Sequence, residues 1–474
     1  MKIENKHVGR GKYVITFRKE DGASAFIDEV TPSSARARAQ FLDRVTEKLP
    51  SIDRDDLERQ LVALADRPDD YTEPASDDAP PDAEEDRTAA REVLNGADLM
   101  DTIGADLSAL GLACDLEIGI LTYLAFTSRL LAEPVCVFAQ GPSSTGKTYI
   151  GTCAAGLMPP EDVFNVQGIT PQALYYMGDQ LKHSIILMGE WARDEDQTDD
   201  GLRTAAMRQL ISDHRLSKLV TNTDTGRPTT EQATTEGPVA VYATSTLPMS
   251  RIFEEDANRF LFIHTDETEN ATRKVLTRKA ETAAGMEQAP TEQLERIKRR
   301  HNAMQRELRR QSAGVIVPFA PALAELFPSD QPCRRRDITK VFGLVKACAL
   351  LHHRQREHDA EGRIVAALED YRIVRGLLEP FMVKAGATPA TLRKYDELNA
   401  ALNKGEAFKR ERAQEVWDLG KARAADLIKE LREGGLLTDA GGADWTYRLR
   451  ERTGERHTFL PSLEAVESSC IVCV

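Results

Sequence analysis

The stretch VCVFAQGPSSTGKTYIGTCAAGLM constrains what this chain can fold into more than any other. An apolar run leads into Gly141, the octet GPSSTGKT fits G-x-x-x-x-G-K-[ST], and a helix-forming run follows Thr148. A strand that turns through glycines into a helix makes a cradle for phosphate. Backbone N–H groups turn inward with no Cβ in the way, and the helix N-terminus adds a favourable field. Gly141, Ser144, Thr145 and Gly146 are therefore read as the phosphate-binding loop of an ATP site. Lys147 is placed on the β and γ phosphates and Thr148 as a ligand to Mg²⁺.

Around this loop, short apolar runs alternate with helical ones: VFNVQGI, a helix through ALYYMGDQL, SIILMGE, a helix around RTAAMRQLIS, and PVAVYATS. That alternation predicts an α/β P-loop core with a mostly parallel sheet covered on both faces. SIILMGE ends in Glu190, which can polarise an attacking water. Gly189 stands where an aspartate would be expected to hold Mg²⁺ through its water shell. Asp194 and Glu195, just downstream, read as a solvated charge run.

LSKLVTNTDTGRPTTEQATTEG, with two β-prone arms around a Gly-Pro turn, predicts a projecting hairpin. Lys218 and Arg227 on it can meet DNA phosphates if it faces a channel; the alternative is an ordinary exposed excursion. PVAVYATS then leaves Thr244, Ser245 and Thr246 at a sheet edge beside the nucleotide. Arg259, between a polar loop and the strand RFLFIH, is placed either to reach a neighbouring subunit's γ-phosphate or to pair with Glu254 or Glu255.

At 474 residues the chain exceeds one ordinary core, so several domains are expected. The first, residues 1–65, reads as a small α+β module: a hairpin KYVITFR…ASAFIDEV and two helices, taken as a structural appendage with an interaction role as alternative. Residues 66–90 read as an acidic disordered linker. Asp66 to Asp86 alone carry ten acids and one arginine, −9 of the total −14. The total of −14 argues against a generally basic nucleic-acid coat, although only about −5 lies outside that segment. The core is assigned to 91–270 and a helical lid to 271–388.

Residues 389–460 follow the plan of a winged helix-turn-helix: one helix, a turn at Leu419-Gly420, a second helix over Lys421 to Glu433, a Gly-rich excursion and β-prone WTYRLR. Ala424 or Ala425, Leu427, Ile428 and Leu431 fall on one side of the second helix. Lys421, Arg423, Lys429 and Arg432 fall elsewhere, where with Arg410 and Arg412 they suit DNA phosphates more than bases. Docking of a protein partner is the alternative. Residues 461–474 read as a flexible tail.

Seven scattered cysteines point to a reducing compartment, and Cys470 and Cys473 form a lone CxxC with no matching pair for zinc. The first residues lack the apolar core of a secretory signal, and no apolar run is long enough to span a bilayer. No membrane association and a cytoplasmic setting are therefore expected.

The order GPSSTGKT, IILMGE, hairpin, ATSTL and NRF resembles AAA+ ATPases that carry a pre-sensor-1 hairpin, the group of viral superfamily 3 and minichromosome-maintenance helicases. Over about residues 95–450 it is similar, more narrowly, to the helicase-like half of bacterial and mobile-element primase-type proteins. The resemblance implies a ring, most simply a hexamer, in which Lys147 and Thr148 bind Mg-ATP, Glu190 activates water and Thr246 is a polar sensor. It also implies that Arg259 is a finger acting on the neighbouring subunit and that Arg336, in CRRRDITK, is a second sensor. Gly189 departs from the family's Walker B aspartate. The zinc-finger and primase modules of longer relatives are not found here, so primer synthesis is not expected. Two functions follow as expectations. The first is an ATP-hydrolysing DNA translocase or helicase in replication of a mobile element or phage-like locus. The second is an ATP-dependent DNA-binding switch or initiator that does not unwind.

Overall fold

The computed structural model describes residues 2–7, 13–18, 24–32, 34–65, 82–165, 170–191, 199–222, 229–246, 258–286, 289–311, 314–329, 331–382, 389–403, 405–433, 436–439, 446–450 and 458–472. The chain forms two compact units: residues 1–317 with 339–366, and residues 318–338 with 367–474.

In the first unit, strands β1 (Lys2–His7), β2 (Tyr13–Arg18) and β3 (Ser24–Val30) make an antiparallel sheet backed by helices α1 (Ala35–Lys48) and α2 (Arg54–Ala65). Alternation along β2 and β3 sends Ile15, Phe17 and Phe26 onto Phe41, Leu42 and Leu57 of the helices. The opposite face is not left to solvent. Val14 and Ile27 enter the main core beside Phe164, Ala173 and Leu174, so the expected appendage is packed against the α/β core.

Helix α3 (Glu84–Asn95) starts inside the span expected to be a disordered linker. Its apolar Ala90 and Leu94 are buried, and Asp86, itself buried, pairs with Arg299 at 3.3 Å. These contacts override the local acidity. The rest of the expected linker, residues 66–81, lies outside the described residues. Helices α4 (Leu99–Ala109) and α5 (Leu116–Thr127) follow. Beneath them runs a buried polar network in which Arg129 meets Asp162 at 2.8 Å and Gln305 at 2.7 Å, and His301 bridges Tyr123 and Asp106.

The core sheet has five parallel strands: β4 (Cys136–Gln140), β5 (Val163–Asn165), β6 (Ser184–Glu190), β9 (Val239–Ser245) and β10 (Phe260–His264), in the order β10-β4-β9-β6-β5. All residues of β4 and β9 are buried, as expected when helices such as α6 (Lys147–Ala155) and α7 (Asp199–Asp213) cover such a sheet. Because the strands are parallel, their C-terminal ends share one edge: Gln140 lies opposite Ser245 and His264, and Glu190 opposite Thr244. The helix expected through ALYYMGDQL is a single 3-10 turn, Ala173–Tyr176, because Gly178 adopts a left-handed φ of +59° and redirects the chain into β6.

Strands β7 (Arg215–Asn222) and β8 (Thr229–Glu236) form the expected hairpin, paired from Arg215 with Glu236 to Asn222 with Thr229. The helices Glu269–Ala283 and Thr291–Arg309 belong to this first unit, so the span expected to be one lid is divided between the two units.

In the second unit, the helices Pro389–Ala401, Arg410–Trp417 and Lys421–Glu433 pack with a three-stranded antiparallel sheet, Ala407–Lys409, Thr446–Leu449 and Leu437–Asp439. The expected flexible tail contains the helix Leu463–Val472. Ser462 Oγ accepts from the amide of Ala465, Val466 is buried, and the Tyr371 hydroxyl donates to the Pro461 carbonyl at 2.8 Å. Among the described residues, no helix is long and apolar enough to cross a membrane, and the six described cysteines are free.

Candidate nucleotide site

The loop after β4 is shaped by backbone that only certain residues adopt easily. Gly146, at φ +86°, caps the start of α6, and Ser144 is also left-handed at +69°. The amide of Gly141 donates to Ser245 O at 3.3 Å. A Cβ at Gly141 would stand 2.9 Å from Thr265 Oγ1 and 3.3 Å from Thr145 Oγ1, so glycine is required there. The Thr145 hydroxyl in turn donates to Pro142 O at 3.0 Å. Helix α6 is fixed against the sheet by the Tyr242 hydroxyl, which donates to Lys147 O at 2.6 Å.

Lys147 is only 7% exposed and folds across the loop, donating to Gly141 O at 2.8 Å and to Pro142 O. Burial pushes its pKa below the usual lysine value, while Glu190 and Glu267 oppose that shift. The pull from Glu190 places two predicted residues in one electrostatic field. Thr148 is exposed beside them.

Glu190 is held by Thr246: its Oε1 accepts from the Thr246 amide at 3.0 Å and from the Thr246 hydroxyl at 3.2 Å. Trp191 anchors the strand end from behind, its amide on Thr244 O at 2.9 Å and its ring edge-on to Phe138 and Phe260. Gly189 has a left-handed φ of +72°, at the point where the β6–β9 register shifts. It is a bulge residue, and a bulge re-aims the side chain that follows it. The backbone at this position favours glycine.

Arg259 Nε donates to Ser212 Oγ at 2.7 Å, near the end of α7. Glu254, Glu255, Asp194, Glu195 and Arg227 lie outside the described residues. Lys218 lies against its own chain, with Nζ 3.1 Å from Gln172 Oε1 and 5.4 Å from the Tyr175 ring centre. Arg336 is exposed and belongs to the second unit.

In that unit the helix Lys421–Glu433 buries Ala424, Leu427, Ile428 and Leu431, and leaves Lys421, Arg423, Lys429 and Arg432 exposed. Arg423 lies 3.9 Å from Glu430 and Arg432 3.6 Å from Asp439, so both of these cations have acidic neighbours.

Sequence reading missed Thr265, whose buried hydroxyl has no hydrogen-bond partner beside Gly141. It also missed Glu267, whose charge acts on Lys147, and Tyr242, whose hydroxyl meets the Lys147 carbonyl. Only the position of Thr265 directly after a strand of the sheet could have pointed to it.

These features suit a nucleoside triphosphate with its cation: a buried lysine crossing a glycine loop at a helix N-terminus, an exposed hydroxyl at Thr148, and a carboxylate on a nearby strand end.

Residues 113–305 match the family model described as the MTBMA_p00010 P-loop domain. With the five-stranded parallel sheet, the match shows an α/β P-loop core. A full-length MCM homolog from Methanopyrus kandleri is similar in structure at 15% identity and a TM-score of 0.38, covering 65% of this chain. The chain spans 62% of the length of that protein. No curated protein matches.

Proposed function

We propose that this chain is an AAA+-type ATPase that hydrolyses Mg-ATP in a ring, most simply a hexamer, and uses the cycle to move along or unwind DNA. The observation that carries the ATPase is the meeting of Glu190 and Thr246 at the sheet edge where Lys147 crosses the phosphate loop. Lys147 and the loop amides bind the β and γ phosphates, and Thr148 holds Mg²⁺, which supplies charge neutralisation when bound. Glu190 takes the proton of the attacking water, with Thr246 fixing the orientation of its carboxylate. Arg259 acts on a neighbouring subunit's nucleotide, and Arg336 senses nucleotide as a second arginine. The hairpin, with Lys218 and Arg227, and the helix bearing Lys421, Arg423, Lys429 and Arg432, contact DNA phosphates in a winged helix-turn-helix arrangement. The setting is cytoplasmic, and the process is replication of a mobile element or phage-like locus.

A second reading, an ATP-dependent DNA-binding switch or initiator, is favoured by one detail: both Thr246 donors already occupy one oxygen of Glu190, which restrains the base. DNA-stimulated ATPase measured together with strand displacement separates the two. Stimulation with displacement is the expected result; stimulation without it leaves the switch. Lys147→Ala should abolish nucleotide binding. Glu190→Gln should keep binding and lower turnover by about 10²-fold or more, and parental turnover in that variant would remove Glu190 as the base.

A further inference from the structure

Between β5 and β6 the segment Thr170–Gly178 is gripped from two sides. On one side stands the N-terminal sheet. Asp28 of β3, 2% exposed, accepts from the Thr170 hydroxyl at 2.9 Å through Oδ1 and from Arg44 Nε at 2.6 Å through Oδ2. The Thr170 oxygen in turn accepts from the amide of Ala173 at 3.3 Å, so the same hydroxyl ties the module to the start of the 3-10 turn. Val14 and Ile27 press on the turn's Ala173 and Leu174 within one buried cluster, and Arg18 lies over the Phe164 ring at 5.9 Å.

On the other side stands the hairpin. Thr235 of β8 is fully buried; its hydroxyl donates to Leu174 O at 2.6 Å and accepts from the Met177 amide at 3.1 Å. The Glu236 amide donates to Gly178 O at 2.6 Å, and Gly178 forms a bridge with Thr235. Lys218 of β7 reaches Gln172 and lies over Tyr175. One short segment therefore contacts the module at its start and the base of the hairpin along the rest. Buried, satisfied polar contacts of this kind fix geometry more than they add stability.

We propose that the N-terminal module is a brace for the hairpin, setting the position of the hairpin's base through Thr170–Gly178. The physical reason is packing: an interior at solid density passes a displacement on to its neighbours. A shift of β3 moves Thr170, and the turn moves Thr235 with it. The brace stands on contacts within the unliganded chain, so it survives if the motor reading fails, and the motor reading survives if the brace fails.

Hydrogen exchange on the full chain without nucleotide tests it. Thr170→Val removes the hydroxyl at nearly constant volume, and Asp28→Asn removes the charge. In each, amides of 229–236 and 215–222 should exchange about fivefold faster, as expected for losing one net hydrogen bond, while peptides of β4 and α6 keep the parental rate. Faster exchange confined to the module and residues 170–178, with the hairpin at its parental rate, overturns the proposal; so does no change anywhere. If Asp28→Asn opens the whole core, the isosteric Thr170→Val alone decides.

Discussion

Gly189 shows how one residue can set the geometry of a strand end. Its φ of +72° lies where an L side chain costs roughly 1–2 kcal/mol, aspartate being among the less averse. An aspartate placed there is therefore expected to harm the site. Gly189→Asp should lower the melting temperature by about 2–4 °C and reduce turnover by rotating Glu190 away from Thr246. Thermal melting and steady-state ATPase check this, and a rise in turnover would show that the bulge does not aim Glu190. The positions of the loop residues, Glu190 and Thr246 in the fold were legible in the sequence because each sits at a strand end recognisable from its own neighbours. The bulge was not, because a register shift is defined against β9, which lies far along the chain. Nor was the Trp191 anchor: its Phe260 partner is brought close only by the folded sheet.

At the scale of elements, the hairpin and the two helices on either side of Leu419-Gly420 were legible for the same reason, as local turn chemistry and helical periodicity. The 3-10 turn Ala173–Tyr176 was not, since its apolar residues suit a helix, and it is the left-handed Gly178 together with the packing of module and hairpin that shortens it. Helix α3 shows the converse: acids that look disordering are ordered by arginines on a distant helix. For DNA contact, substituting Lys421, Arg423, Lys429 and Arg432 with alanine should lower the salt dependence of binding by about one unit of slope per lost phosphate contact. Lys421, which pairs with no acid among the described residues, should matter more than Arg432, which lies near Asp439. Binding isotherms at several salt concentrations measure both. An unchanged slope would leave the unit as a protein-docking module.

At the scale of the whole molecule, the proposed ring would make Arg259 a shared residue. Arg259→Ala should lower turnover by about 10³-fold, and mixing it with Lys147→Ala subunits should restore part of the activity; no recovery at any ratio would place Arg259 within its own subunit's structure. The buried network sets a pH dependence. Burial pushes the pKa of His301 below its usual 6.5, against the pull of Asp106, and His183 and His353 are lowered likewise by burial. The unfolded chain takes up these protons first, so their contribution is full above pH 6.5 and is lost as pH falls toward the folded-state values. Urea unfolding at roughly pH 7.5 and 5.5 should show the lower midpoint in acid, with a smaller difference in His301→Asn. Domain limits were the least legible feature at this scale, because a helix is assigned to a unit by what it packs on. Thr291–Arg309 packs on α3 and the sheet's supports, as Arg306 pairing with Glu161 at 2.8 Å illustrates.

The sheet order has a consequence for how the protein is made. Strand β4 leads directly into the phosphate loop, yet its two partners, β9 and β10, are synthesised long after it. The loop must leave the ribosome with no neighbour on either side and wait for both. Non-local pairing of this kind folds slowly and keeps an apolar strand available to wrong partners. The nucleotide site therefore cannot close until β10 has been made, and nucleotide binding reports that the sheet has closed around β4.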